Sequence, residues 1–134
     1  MRIVVDTGVL SASISRRRRQ RLENEVASMA GNQVFLAAVT VSELTYGALV
    51  AGWGAVRRER LEQVIGTTTV VPVSDRLLTT AAELRFACRQ AGHPLHDRSH
   101  ANDLWVAASA LHIGAPLVTA DAVLEDAPGL SLLR

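Results

Sequence analysis

The sequence predicts an α/β domain built around a short, mainly parallel β-sheet. Two observations carry that expectation. Apolar runs of strand length recur at residues 2–5, 34–39 and 116–119, and helix-forming sequence separates them. These runs are continuous rather than alternating, as expected of strands covered on both faces. With 134 residues the chain is one domain's worth, 1–134, long enough to bury a substantial core without disulfides.

The elements follow in order. Residues 2–5 (RIVV) read as a buried strand ended by a turn at Asp6-Thr7-Gly8. Leu22, Val26 and Met29 keep helical spacing until Gly31-Asn32, and residues 34–39 form the second strand. Thr40-Val41-Ser42-Glu43 has the form of a capping box, which predicts a helix over about 41–51 that stops at Gly52. A further helix over about 55–65 ends at Gly66, and the β-branched residues 67–73 are strand-like. Asp75 is the expected cap of the clearest helix, in which Leu77, Ala81, Leu84, Cys88 and Ala91 share one face before Gly92 and Pro94. Residues 104–113 are apolar nearly all round and predict a helix buried inside the domain. Residues 116–119 supply a fourth strand, and 130–134 are a candidate fifth.

Composition excludes several classes. Apolar residues make up 49% and charged residues 20%, which is globular rather than disordered. A net charge of +1 excludes an indiscriminate polycation. No run approaches the ~18 apolar residues of a membrane span, and Asp6 interrupts the place of a signal peptide's apolar region. The single Cys88 fits a reducing, cytoplasmic location.

In parallel sheets, ligands bind beyond the carboxyl ends of the strands. Four acids fall there. Asp6 follows the first strand, Glu43 lies early in the helix after the second, Asp103 begins the buried helix, and Asp121 follows the fourth strand. Taken singly, each is explained as a turn or cap residue. Gathered together, they would repel strongly in a partly buried cleft unless a cation neutralised them. All-oxygen ligands select a hard ion, Mg²⁺ or Mn²⁺, whose usual work is phosphoryl chemistry with an activated water.

The segments VVDTGVL, TVSELTYGA and ANDLWVAASALHIGAPLVTADAVL, in that order, resemble PIN-domain nucleases, and in particular the single-domain VapC-type toxins. The resemblance covers essentially the whole chain. It implies a three-layer α/β/α fold and a Mg²⁺- or Mn²⁺-dependent endoribonuclease that cleaves RNA, a homodimer neutralised by a cognate antitoxin. Asp6, Glu43, Asp103 and Asp121 match the family's acidic quartet, and Thr119 matches a hydroxyl beside it. Where the family usually has Asn or Ser, this chain has Gly8. The other class of function, a non-catalytic PIN-like module that binds RNA or protein, is disfavoured because all four acids are present.

Other patterns compete less well. Asp6-Thr7-Gly8 is also the aspartic-protease tripeptide, but the helical periodicity contradicts an all-β fold. His93, His96 and His100 lack the companions of a tetrahedral zinc site, and Pro94 prevents a regular helix across the first pair. His100 stands one helical turn before Asp103, at the expected edge of the site. All 14 basic residues are Arg, and five of them fall within 16–21. That block is either a solvated helix end or a phosphate-tracking patch, in which Arg17, Arg18 and Arg19 would contact RNA. Trp53 and Phe86 are candidates for an exposed apolar patch that would serve the dimer or the antitoxin.

Overall fold

The computed structural model describes all 134 residues. Its elements are β1 (Arg2–Val5), α1 (Thr7–Ser13), α2 (Arg16–Arg19), α3 (Glu23–Ala27), β2 (Gln33–Ala37), α4 (Ala38–Val50), α5 (Ala55–Gly66), β3 (Thr69–Val71), α6 (Asp75–Ala91), α7 (Ala101–Ile113) and β4 (Leu117–Val118). Short 3₁₀ turns lie at Pro94–His96, Arg98–His100 and Ala122–Leu124.

The strands pair in the order β3-β2-β1-β4, and every pairing is parallel. Val4 of β1 stands opposite Phe35 on one side and Leu117 on the other. Successive strand residues point to opposite faces, so each strand feeds two cores. Val4, Ala37 and Leu117 pack with α6 and α7, whereas Ile3, Val5, Leu36 and Val118 pack with α1, α3, α4 and α5. All seven are at most 1% exposed. Burying such a Val or Leu side chain contributes about 1.5–3 kcal/mol. The result is a three-layer α/β/α fold.

Several local expectations need correction. Asp6-Thr7-Gly8 is the start of a helix, α1, and not a turn; Asp6 caps it by accepting from Val9 N at 2.9 Å. Thr40 does not cap a helix. Helix α4 begins directly where β2 ends, so Thr40 lies in its first turn, and the cap position, Ala37, makes no side-chain bond. Ser74, not Asp75, caps α6 by accepting from Leu77 N at 3.2 Å. The apolar stripe of α6 is buried from Leu77 to Cys88, but Ala91 is exposed. Gly92 ends that helix at φ 69°, a left-handed conformation open to glycine at no steric cost.

Strand β1 spans the expected residues, and the other three strands are shorter than expected. Ala38 and Val39 belong to α4, and only Thr69–Val71 of residues 67–73 pair. The candidate fifth strand is a single bridge, Leu132 beside Leu117.

Candidate active site

The carboxyl ends of β1 and β4 lie side by side, because Val5 pairs with Val118. Asp6 and Thr119 are the next residues of their strands. The Thr119 hydroxyl donates to Asp6 Oδ2 and accepts from Asp121 N at 3.0 Å. Asp121 in turn caps the Ala122–Leu124 turn, accepting from Val123 N at 3.1 Å. Thr119 is thus a junction between two of the acids.

Glu43 comes from the second turn of α4. Its Oε1 accepts from the Thr7 hydroxyl at 2.7 Å, and Thr7 Oγ1 lies 3.1 Å from the hydroxyl of the buried Thr40. A hydroxyl carries one proton, so the chain of donors runs from Thr40 to Thr7 to Glu43. Sequence reasoning missed Thr7 and misread Thr40. The only signal was their place beside Asp6 and Glu43. Asp103 stands in the first turn of α7, where the helix dipole favours a carboxylate. His100 Nδ1 lies 3.7 Å from Asp103 Oδ2.

All four acids line one open cleft of about 430 Å³, together with Thr7, Gly8, Leu22 and Ala120. Asp6 is 8% exposed, and burial pushes its carboxyl pKa above the ordinary value. The hydrogen bonds from Thr119 and Val9 oppose that shift, while Asp121 and Glu43 add to it by repulsion. Asp103 is shifted upward as well, by burial first and then by the charge of Asp121, with His100 opposing and Asp6 and Glu43 adding. The acids are close enough to feel one another. As placed, however, no three His, Cys, Asp or Glu side chains form a group that could hold an ion by themselves.

The remaining candidates divide. A Cβ on Gly8 would stand 3.7 Å from Asp6 Oδ1, so a side chain at that position would border the acids. The Arg block forms the exposed helix α2, and only its neighbour Leu22 lines the cleft. Arg18 donates to Ser11 Oγ at 2.7 Å, which ties it to α1. His93 stands apart from the acids: its Nδ1 accepts from Leu95 N at 3.2 Å and its Nε2 donates to the Glu125 carbonyl at 2.7 Å. With both ring nitrogens engaged it has no lone pair left for zinc. Trp53 is half-buried against the core under Arg57, whereas Phe86 is exposed. Overlooked in the sequence are Tyr46, Leu49 and Val50, exposed on one face of α4, and the exposed Val56 of α5.

Comparison with known proteins agrees with this fold. The family description "PIN domain" matches residues 3–130. Ribonuclease VapC5 of Mycobacterium tuberculosis is 29% identical over 136 residues, covering 98% of this chain and 93% of the relative. Among solved structures, VapBC2 from Rickettsia felis, bound to a DNA fragment from its promoter, superposes with a TM-score of 0.77 at 21% identity. That match covers 99% of this chain and 98% of the other. FitAcB from Neisseria gonorrhoeae gives 0.76 at 23% identity, over 98% and 96%.

Proposed function

The chain belongs to the PIN-domain family, and on that premise we propose that residues 1–134 are a single-domain, metal-dependent endoribonuclease, the toxin of a toxin–antitoxin pair. The observation that carries the reading is the convergence of Asp6, Glu43, Asp103 and Asp121 on one cleft beyond the carboxyl ends of β1 and β4. The ribonuclease name of the M. tuberculosis relative supports the choice of RNA.

The donor set fits Mg²⁺ or Mn²⁺. Every donor is a hard oxygen, and the acids repel one another, so a cation is favoured there. Their spread suits an ion that keeps several waters and takes only one or two carboxylates directly. Asp6 and Asp103 would hold it, with Asp121 and Glu43 completing the set or orienting its waters. Such an ion, when bound, supplies an activated water and stabilises charge developing on the phosphate oxygens.

The protein's own part is orientation. Thr119 fixes the Asp6 carboxylate, and the Thr40-Thr7 chain fixes Glu43. His100 borders Asp103 and favours its charged form. Four acids repel an RNA backbone, so a basic contact nearby is required; Arg17 and Arg19 serve it, with Arg18 steadied by Ser11.

Tyr46, Leu49 and Val50 of α4 offer an apolar face for the cognate antitoxin, and the active form is a homodimer in the cytoplasm. No helix is long and apolar enough to cross a membrane. The test is cleavage of total RNA by purified protein with Mg²⁺ or Mn²⁺, read by sequencing new 5′ ends. Discrete cuts that vanish in EDTA and in Asp103→Asn support the reading. Equal cutting by wild type and variant, or none by the wild type, overturns it.

A further inference from the structure

A second cavity, of about 380 Å³, opens beside the acidic cleft and shares Ala120 and Asp121 with it. Its walls come from α3, which brings Asn24 and Glu25, from Ser28 just after it, and from the C-terminal segment, which brings Glu125, Leu132, Leu133 and Arg134. That segment is held on β4: Leu133 N donates to Leu117 O and Leu117 N donates to Ser131 O, each at 2.9 Å. Arg134 is steadied by a 3.1 Å bond to Glu125 Oε1. The Asn24 and Glu25 side chains make no hydrogen bond within the chain, although both line the cavity.

We propose that this cavity is a nucleobase subsite that seats a guanine of the RNA strand whose phosphodiester lies in the acidic cleft. The proposal rests on the ribonuclease reading above and deepens it. Three arguments favour a base. First, the two cavities adjoin at a shared wall, Ala120 and Asp121, so a nucleotide chain lying in one can place its next residue in the other. Secondly, the charged lining is Glu25, Asp121 and Glu125 against the single Arg134. That balance rejects a phosphate and admits a neutral group. Thirdly, Leu132 and Leu133 supply apolar surface, and a guanidinium can lie flat on a heterocycle.

The polar groups then choose among the bases. A carboxylate is an acceptor only, with two oxygens side by side. Guanine offers the matching pair of donors, N1–H and N2–H, while its O6 can accept from the Asn24 amide. Adenine and cytosine present one amine to Glu25, and uracil sets carbonyl oxygens against it. Glu25 and Asn24 are therefore specificity-determining residues that never touch the reacting phosphate.

The experiment compares wild type, Glu25→Gln, Asn24→Ala and Asp103→Asn on a randomised single-stranded RNA pool, sequencing every new 5′ end. The expected wild-type profile shows guanine at one fixed position within a nucleotide or two of the cut. Glu25→Gln keeps the shape but loses the charged acceptor, so the guanine preference should fall about tenfold, the scale of one bidentate base contact. Asn24→Ala, at an exposed position, provides a second variant and should weaken the preference in the same direction. The overall cutting rate on guanine-free RNA stays unchanged in both. Guanosine and uridine, titrated into each protein and followed by NMR, give a readout independent of cleavage; guanosine should bind wild type more tightly than Glu25→Gln, and uridine should bind both alike.

If wild type cuts, Asp103→Asn does not, and the two cavity variants keep the wild-type profile, the base subsite is wrong while the nuclease reading stands. If those variants instead lose affinity for the antitoxin with cleavage unaltered, the cavity is a protein-docking surface and the proposal is overturned. Loss of the nuclease reading itself appears as continued cutting by Asp103→Asn or as no cutting by the wild type, and the nucleoside titrations then test the base subsite without cleavage.

Discussion

Thr119 donates its hydroxyl to Asp6 across 113 positions of sequence, binding the end of β4 to the end of β1 at the point where the acids gather. The same oxygen accepts from Asp121 N, so one side chain positions two members of the quartet.

Thr119→Val keeps the shape but removes both bonds. Loss of a partner that orients a metal ligand commonly lowers metal affinity or activity 10–100-fold. The expected outcome is a Mn²⁺ affinity and a cleavage rate each reduced by about that range, with the Asp6 pKa raised further. Calorimetric titration of Mn²⁺ into Thr119→Ser, which restores a hydroxyl, should recover most of the loss. Equal weakening in Ser and Val variants would assign the effect to packing.

Replacing Asp6 or Asp103 with Asn should abolish cleavage by orders of magnitude while leaving circular dichroism unchanged. Asn is a good helix cap, so the bond from Val9 N to position 6 survives. Asp6→Ala, by contrast, should be about 1 kcal/mol less stable than Asp6→Asn, because both lose the charge but only Ala loses the cap. A cleavage assay beside a denaturant titration separates the two effects.

The metal-free protein should lose stability as pH rises from acid toward neutral. Asp6 and Asp103 both have folded pKa values above the ordinary 3.8. Between the unfolded and folded values the native state holds more protons, so ionising these groups destabilises it. Their favourable contribution is complete below about pH 3.8 and is lost as pH passes through the raised values. Asp103→Asn removes one repelling charge and should melt higher than wild type at neutral pH in EDTA. Mn²⁺ at ten times its Kd should add about 1.4 kcal/mol to wild type, a few degrees in Tm, and much less to the variant. A variant that melts lower and responds equally to Mn²⁺ would mean that the acids act only as caps.

Substituting Gln for Arg17 and Arg19 should weaken RNA binding and reduce the slope of log K against log salt by up to ~0.7 per lost contact. Arg18→Gln should act differently, because it also breaks the bond to Ser11 that fastens α2 to α1. Filter binding across a salt series distinguishes them. An unchanged slope in the Arg17/Arg19 variant returns the block to a solvated helix end.

Much of this architecture was legible in the sequence because burial writes itself in continuous apolar runs. Residues 2–5 and 104–113 have few other places to go. Three of the four acids were legible for a related reason, since Asp6 and Asp121 follow strands and Asp103 lies in the first turn of a helix, while Glu43 stands one turn into α4. Tertiary bonds decided the rest. Thr40 has the residue type of a cap, but its hydroxyl lies beside Thr7, and the helix starts earlier. Helix α1 was hidden because Gly8, Ser11 and Ser13 weaken its local signal, while Val9 and Leu10 are held by burial. Of the two candidates for an exposed patch, Phe86 is exposed whereas Trp53 packs against the core, and Tyr46, Leu49 and Val50 form a further exposed apolar face.

The strand order β3-β2-β1-β4 also sets a timetable. Strand β1 is made first, but its second partner, β4, begins at Leu117. A chain emerging from the ribosome up to the end of α6 holds only Asp6 and Glu43 of the four acids, however well its first strands have paired. Asp103 and Asp121 arrive later, and Thr119 can reach Asp6 only after β4 has docked. Pairing of such sequence separation is slow to form. On the proposed reading, the growing polypeptide stays harmless to the messenger that encodes it until β4 has been made and has docked, and the interval before that is one in which an antitoxin can arrive first.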